Sequence, residues 1–274
     1  PYESIFPKKT TSNKGYYAEN KLSLLDRHFF NTLALRIDDH SKFGSHDTYK
    51  ITAAYLFDSG TKLKESFGTG FKAPSLYQLY SSYGDENLNP EKSKGYDLGV
   101  EQSLWEDKVL GSITFFKNDF KNLIDYDLLT SKYMNVAKAQ TKGIETELKV
   151  IPGQGLTLRL TYTYLDADDK TNHEPLIRRA RNKYNLNINY VFLKKGNLNL
   201  NIARTLKRYD KTGWPSTLVR LKDYTKVDLA ASYDITKNFQ IFGRAENLFD
   251  EFYEDVRGYG TDGISVYAGV KKTF

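Results

Sequence analysis

The 274-residue chain is 39% hydrophobic and 27% charged, and its longest apolar run, residues 53–57, falls far short of the roughly 18–20 residues that a membrane-crossing helix needs. It contains no cysteine, which excludes disulfide frameworks and thiolate metal centres, and its 14% aromatic content excludes disorder. The net charge is +6, but 40 basic and 34 acidic residues are interspersed without a run of five like charges, which argues against nucleic-acid binding.

The dominant signal is an alternation of period two. Ile144, Thr146, Leu148 and Val150 alternate with Glu145, Glu147 and Lys149. Leu156, Leu158, Leu160, Tyr162 and Tyr164 alternate with Thr157, Arg159, Thr161 and Thr163. Further on, Tyr184, Leu186, Ile188 and Tyr190 alternate with asparagines, as do Leu198, Leu200 and Ile202, and Val227, Leu229, Ala231 and Tyr233 continue the pattern. These are strands with one apolar and one polar face. About thirteen such segments are predicted, near 14–26, 28–40, 46–58, 61–71, 94–105, 107–126, 132–151, 155–168, 180–195, 197–208, 222–234, 237–247 and 263–274. Many reach the roughly 9–11 residues of a tilted transmembrane strand, beyond the usual five or six of a globular one.

The connections alternate too. Those at 26–28, 58–60, 105–107, 152–154, 194–196 and 235–237 are short. Those at 41–45, 72–93, 127–131, 169–179, 209–221 and 248–262 are longer. Tight inner turns and longer outer loops characterise bacterial outer-membrane barrels, with the apolar face on lipid and the polar face on the lumen. The fold expected is therefore all-β, an antiparallel transmembrane β-barrel in the outer membrane. Residues 1–274 form one part of it. The last strand ends in Phe274, a signature read by outer-membrane assembly machinery. An odd strand count and a first segment running inward imply that earlier strands precede this portion. The opening residues carry no signal-peptide pattern.

The residues also carry a resemblance. DDHSKFGSHDTY at 38–49, SFGTGFKAPSLYQLY at 66–80, NLNPEKSKGYDLG at 87–99, FKNLIDYD at 120–127 and AQTKGIETEL at 139–148 occur in order. PLIRRARNKYNL at 175–186, RYDKT at 208–212 and ENLFDEFYEDVRGYGTDG at 246–263 follow. The chain resembles the C-terminal half of TonB-dependent outer-membrane receptors, and the DDHSKFGSH, NLIDYD and PLIRRA elements are most similar to the cobalamin (vitamin B12) receptor branch. The resemblance implies a barrel of about 22 strands filled by an N-terminal plug, with the plug, the TonB box and the first strands absent here. It implies an active transporter and not an enzyme, taking up cobalamin or a related corrinoid. A ferric siderophore or haem is the alternative cargo, and a passive porin or barrel enzyme the remaining one. TonB would act through the missing plug. No resident cofactor and no calcium site are implied.

Candidate ligand contacts are outer-loop residues. Tyr77, Tyr80, Tyr83 and Asp85 occupy 72–93, Arg208, Tyr209 and Trp214 lie at and within 209–221, and Tyr253, Arg257 and Tyr259 occupy 248–262. Rigid amphipathic rings over a polar cavity suit a bulky ligand with apolar and amide surfaces. The same rings equally suit an interfacial aromatic girdle. Other features read as structural. Gly68 and Gly70 lack the rest of a phosphate loop. Asp166, Asp168 and Asp169 read as a solvated loop rather than a cation site. His28, His40, His46 and His173 form no catalytic constellation. Glu145, Glu147, Lys149, Arg159, Arg244 and Glu246 read as lumen charges that pair with each other or with the plug. Arg178, Arg179 and Arg181 at 175–181 fit either a ligand or the phosphates of lipopolysaccharide at the outer rim.

Overall fold

The structure, a computed structural model, describes residues 8–127, 130–213 and 215–274. In chain order its elements are β1 (Asn13–Leu24), β2 (Phe29–His40), β3 (Gly44–Leu56), β4 (Thr61–Lys72), α1 (Leu76–Tyr80), β5 (Glu91–Leu104), β6 (Val109–Asp127), β7 (Lys132–Gly153) and β8 (Leu156–Asp169). There follow β9 (Glu174–Pro175), β10 (Asn182–Phe192), β11 (Gly196–Leu206), β12 (Arg208–Thr212), β13 (Thr217–Leu221), β14 (Tyr224–Thr236), β15 (Phe239–Glu246), β16 (Glu254–Val256), β17 (Tyr259–Gly260) and β18 (Ser265–Lys272). One antiparallel sheet runs β1-β2-β3-β4-β5-β6-β7-β8-β10-β11-β14-β15-β18, with β9 paired to β8 off this path. Each strand on the path pairs with its neighbour in sequence along that path, so the sheet is an up-and-down wall. No ladder among the described residues joins β1 to β18, and the wall is open at both edges.

The registers carry the alternation across strand after strand. Leu148 stands opposite Leu160, Leu160 opposite Leu186, and Leu186 opposite Ile202. Ile202 faces Val227, and the row below it runs from Leu200 to Leu229, Ala245 and Val266. The result is a continuous apolar belt, and it is open to the surroundings: Leu98 is 58% exposed and Val266 72%. A soluble protein rarely shows so large an apolar surface. A barrel wall facing hydrocarbon requires one. The opposite face holds asparagines, threonines and charges, among them the hydrogen-bonded pairs Asn185–Asn201 (2.9 Å) and Asn187–Asn199 (3.0 Å). Phe274 lies beyond β18, fully exposed, on the same parity as Val266 and Val270.

The inner turns are tight. Leu25, Asp26 and Arg27 adopt φ of 52°, 50° and 70°, and the His28 amide donates to the Leu25 carbonyl at 2.9 Å. Such mirror-image turns match the right-handed strand twist. One expectation needs correction. The outer connection read as 41–45 is only residues 41–43, no longer than the inner turns, because β2 and β3 extend to His40 and Gly44. Its three residues are organised by His40, whose Nδ1 accepts from the Lys42 amide at 3.2 Å and the Phe43 amide at 3.4 Å. Outer reach is likewise built from strand rather than loop in β6 and β7, of 19 and 22 residues. Both exceed what a bilayer needs, so their hairpin stands clear of it. Most of the few buried apolar side chains (Leu79, Leu88, Ala139, Ala167, Ala180, Leu221 and Val227) lie at this outer end.

Candidate functional site

Two clusters crown the outer end. The first forms around α1. Ser75 starts the helix with a reciprocal cap: its Oγ accepts from the Gln78 amide at 3.2 Å, and its own amide donates to Gln78 Oε1 at 2.9 Å. The helix buries Leu79 and leaves Tyr77 at the surface. Tyr77 meets Tyr133 edge-on at 6.1 Å, Tyr83 meets Tyr126 at 5.9 Å, and Tyr126 meets Tyr133 at 5.3 Å. Four tyrosines thus interlock where the long 73–90 connection leans on the tall β6–β7 hairpin. Edge-to-face rings at such spacing attract beyond their buried area. Tyr80 is held from the other side by Lys42, whose Nζ donates to the Tyr80 hydroxyl at 3.2 Å and to the Glu86 carbonyl at 3.1 Å. The Asp85 carboxylate accepts from the Asn87 amide at 2.9 Å and side chain at 3.1 Å, closing a local turn.

The second cluster forms around Asp210, 1% exposed. Its carboxylate accepts from Arg178 Nε at 3.1 Å, the Arg257 amide at 2.8 Å and the Lys211 amide at 2.9 Å. Burial raises the pKa of this carboxyl, but the Arg257 amide, the Arg178 guanidinium and the Lys211 amide outweigh burial and hold it below the usual carboxylate range. Asp210 therefore binds together the β12–β13 hairpin, the β16–β17 hairpin and the 175–181 segment. Arg208 does the same from the neighbouring level. Buried at 4% exposure, its guanidinium donates to the Glu254 carbonyl and the Asp255 carboxylate, both at 2.7 Å, and to the Lys222 carbonyl at 3.1 Å. It also lies 4.7 Å over the Tyr224 ring, which stacks on Tyr253 at 4.0 Å.

Of the sequence candidates, Tyr77, Tyr80, Tyr83 and Asp85 are gathered in the first cluster, and Arg208, Tyr209, Tyr253 and Arg257 in the second. Tyr259, 73% exposed, sits on β17, and Trp214 lies outside the described residues. Arg208 and Asp85 are engaged in holding loops. Tyr77, Tyr83, Arg257 and Tyr259 remain exposed at the outer end. Sequence reading did not single out Tyr126, Tyr133, Lys42, Asp210 or Tyr224. The aromatic pair flanks the 127–131 connection, which was its available signal. The other features are structural. Asp169 accepts the Thr171 and Asn172 amides at 2.7 and 3.2 Å, Asp168 pairs with Lys170 at 2.7 Å and Asp166 with Arg181 at 3.0 Å. His46 Nε2 lies 3.1 Å from the Phe43 carbonyl, and its ring stacks on Phe71 at 3.9 Å. On the polar face Arg159 pairs with Glu147 at 3.2 Å and Arg244 with Glu246 at 3.1 Å.

Comparison with solved structures places this geometry. A mutant of the ferric enterobactin receptor PfeA from Pseudomonas aeruginosa superposes with a TM-score of 0.82 at 21% identity, over 96% of this chain and 45% of that one. The siderophore receptor PirA from Acinetobacter baumannii gives 0.81 at 21% identity, over 96% and 46%. PirA from Pseudomonas aeruginosa gives 0.75 at 24% identity, over 98% and 48%. The chain thus spans about half the length of the structures it matches. The family described as TonB dependent receptor-like, beta-barrel matches residues 1–248. The chain belongs to that family, as a section of its β-barrel in the outer membrane of Gram-negative bacteria.

Proposed function

We propose that the intact protein is a TonB-dependent active transporter, and that its cargo is a ferric siderophore. The carrying observation is the outer crown: two tethered loop clusters that expose tyrosines beside cations, on a wall belted for lipid. Arg179 and Arg257 are exposed there, with Tyr77, Tyr83 and Tyr259. Many iron chelates are anionic and aromatic, and guanidinium groups with aromatic faces suit them. The resemblance of the wall to siderophore receptors supports the same choice. The outer loops would capture the chelate, and TonB, acting on a plug carried elsewhere in the protein, would open the lumen. Passive diffusion is disfavoured because the barrel family that the chain belongs to is that of TonB-dependent receptors.

A second reading is cobalamin uptake, favoured by the DDHSKFGSH, NLIDYD and PLIRRA elements. Cobalamin is bulky and nearly neutral, so it would use the rings and leave the arginines idle. The test expresses the full-length gene in cells lacking their own receptors. Binding of iron-labelled catecholate siderophore and of labelled cobalamin to isolated outer membranes is then compared. Saturable siderophore binding, weakened roughly three- to tenfold by Arg257→Ala, is the expected result. Saturable binding of cobalamin alone would replace the first reading with the second.

A further inference from the structure

Most of the lumen face of the wall carries charge. β7 sets Glu145, Glu147 and Lys149 along it, β4 and β5 set Lys64 and Glu101, and β14 and β15 set Lys226, Asp228, Arg244 and Glu246. β10 and β11 differ. Among the described residues they are the one pair of neighbouring strands on the sheet path with no charge at any lumen position below Lys183. Asn185, Asn187 and Asn189 on β10 and Asn197, Asn199 and Asn201 on β11 stand there instead. The register interleaves them into one zigzag. Asn187 is directly opposite Asn201, and Asn189 directly opposite Asn199. Side-chain hydrogen bonds close the diagonals, Asn185 to Asn201 at 2.9 Å, Asn187 to Asn199 at 3.0 Å and Asn197 to Asn189 at 2.8 Å. Charges at the margins are already engaged. Arg159, opposite Asn187, pairs with Glu147 at 3.2 Å, and Asp228, opposite Asn201, pairs with Lys226 at 3.3 Å.

Asparagine is a poor strand residue, and threonine would keep the face polar while favouring the strand. Strand building therefore does not account for six asparagines on one face. What they share is a primary amide. Held in its pair, each amide has a set orientation and keeps N–H and carbonyl capacity beyond the pair bond. Such a surface donates to a carboxylate or phenolate oxygen and accepts from a hydroxyl or an amide, without the grip of a full charge. Conduction needs sites favourable enough to enter, yet weak and numerous enough to leave. A cationic wall would hold an anionic chelate, and an acidic one would turn it away. The zigzag also has fitting ends. At the outer side β10 follows the 175–181 segment and β11 leads to Arg208 and the Asp210 cluster. At the inner side the two strands meet in the tight turn at 193–195.

We propose that the lumen face of β10–β11 is the lane along which the cargo crosses the barrel once the plug is displaced, handed from amide to amide between the second crown cluster and the inner turn. The proposal deepens the siderophore-transporter reading and rests on it. The full-length receptor is expressed in cells lacking their own receptors, and heat-dependent gel mobility first shows that each variant is inserted. Binding and TonB-dependent uptake of iron-labelled catecholate siderophore are then measured separately. Asn189→Lys/Asn199→Lys should bind siderophore as wild type does but take it up roughly fivefold more slowly or worse. Asn189→Asp/Asn199→Asp, of opposite sign, should do the same, and decides the matter should the lysine variant fail to insert. Asn189→Gln/Asn199→Gln keeps the amides and should transport at near the wild-type rate. So should Thr32→Lys/Thr52→Lys, which puts the same charges on the lumen face of β2 and β3. Wild-type uptake by an inserted charged variant overturns the proposal. An equal loss in Thr32→Lys/Thr52→Lys overturns it too, since any lumen charge would then impede transport. An equal loss in the glutamine variant also overturns it, since side-chain size rather than amide chemistry would then be what the strip supplies. Lack of siderophore binding by inserted wild-type receptor would instead overturn the cargo reading on which the lane rests.

Discussion

At the scale of single residues, the outer crown depends on a carboxylate with no surface to retreat to. Asp210 receives two backbone amides and a guanidinium from three separate segments. Replacing it by asparagine keeps the shape but turns one acceptor into a donor that faces other donors. Leaving buried donors unpaired costs about 1–3 kcal/mol each, so Asp210→Asn should loosen all three segments together. In outer membranes holding the full-length receptor, trypsin cleavage after Arg178, Lys211 and Arg220 should rise roughly tenfold or more, with no change in the heat-dependent mobility of the barrel. Unchanged cleavage would mean that the segments are held by other contacts. The same carboxyl sets a pH response. Its folded pKa lies below its unfolded value, so its stabilisation is fully present above about pH 4 and fades only as pH falls through the lower, folded value. Amide exchange of 207–212 and 254–258 should therefore stay slow, after correction for intrinsic rates, down to about pH 4 and quicken below it.

At the scale of strands, the period-two pattern was enough to place the wall. Each of the thirteen strands on the sheet path overlaps one of the segments read from alternation, because most lipid-facing positions are apolar while lumen-facing ones need not be. The crown was far less legible. β12 and β13 are five residues each, and β16 and β17 shorter still, so alternation cannot accumulate over them. Their positions follow from Asp210 and Arg208, contacts between residues more than 30 apart in sequence. The aromatic cluster was half visible, since Tyr77 and Tyr83 stood in a long connection while Tyr126 and Tyr133 read as strand. Two glycines within the strands have a packing role that alternation does not show. Gly143 and Gly269 sit under the rings of their cross-strand partners Phe116 and Phe242, a pairing that covers the bare backbone. The alternation itself makes a sharp prediction. Leu160 lies in the middle of the apolar belt and Thr161, its neighbour, faces the lumen beside Glu147. An arginine in the lipid-facing position costs about 2–4 kcal/mol near the midplane. Leu160→Arg should therefore cut the yield of heat-modifiable barrel several-fold, while Thr161→Arg should leave it near wild type. Equal yields, or the reverse order, would refute the assignment of faces.

At the scale of the whole molecule, the wall has two free edges. Among the described residues, β1 pairs only with β2, and β18 only with β15. In hydrocarbon an edge strand presents on the order of five unpaired amide and carbonyl pairs along its crossing, each unsatisfied group costing several kcal/mol. Two such edges exceed the roughly 5–15 kcal/mol that stabilises a typical domain. Closing β1 directly onto β18 would remove them, but both run from the outer to the inner side. They would meet as a parallel pair in an otherwise antiparallel ring, against the even, antiparallel rule of such barrels. The 274-residue polypeptide by itself should therefore not form a barrel. Refolded in detergent micelles it should give a strand-rich circular dichroism spectrum, yet no compact band that unfolds only on heating, whereas the full-length receptor should give that band. The chain has no cysteine, so Glu19→Cys and Tyr267→Cys report edge contact without ambiguity. The pair should stay uncrosslinked in the isolated chain, since no register brings the two strands together. A heat-modifiable band with efficient crosslinking would mean that these strands close on themselves, and the edges would then have to be satisfied by parallel pairing.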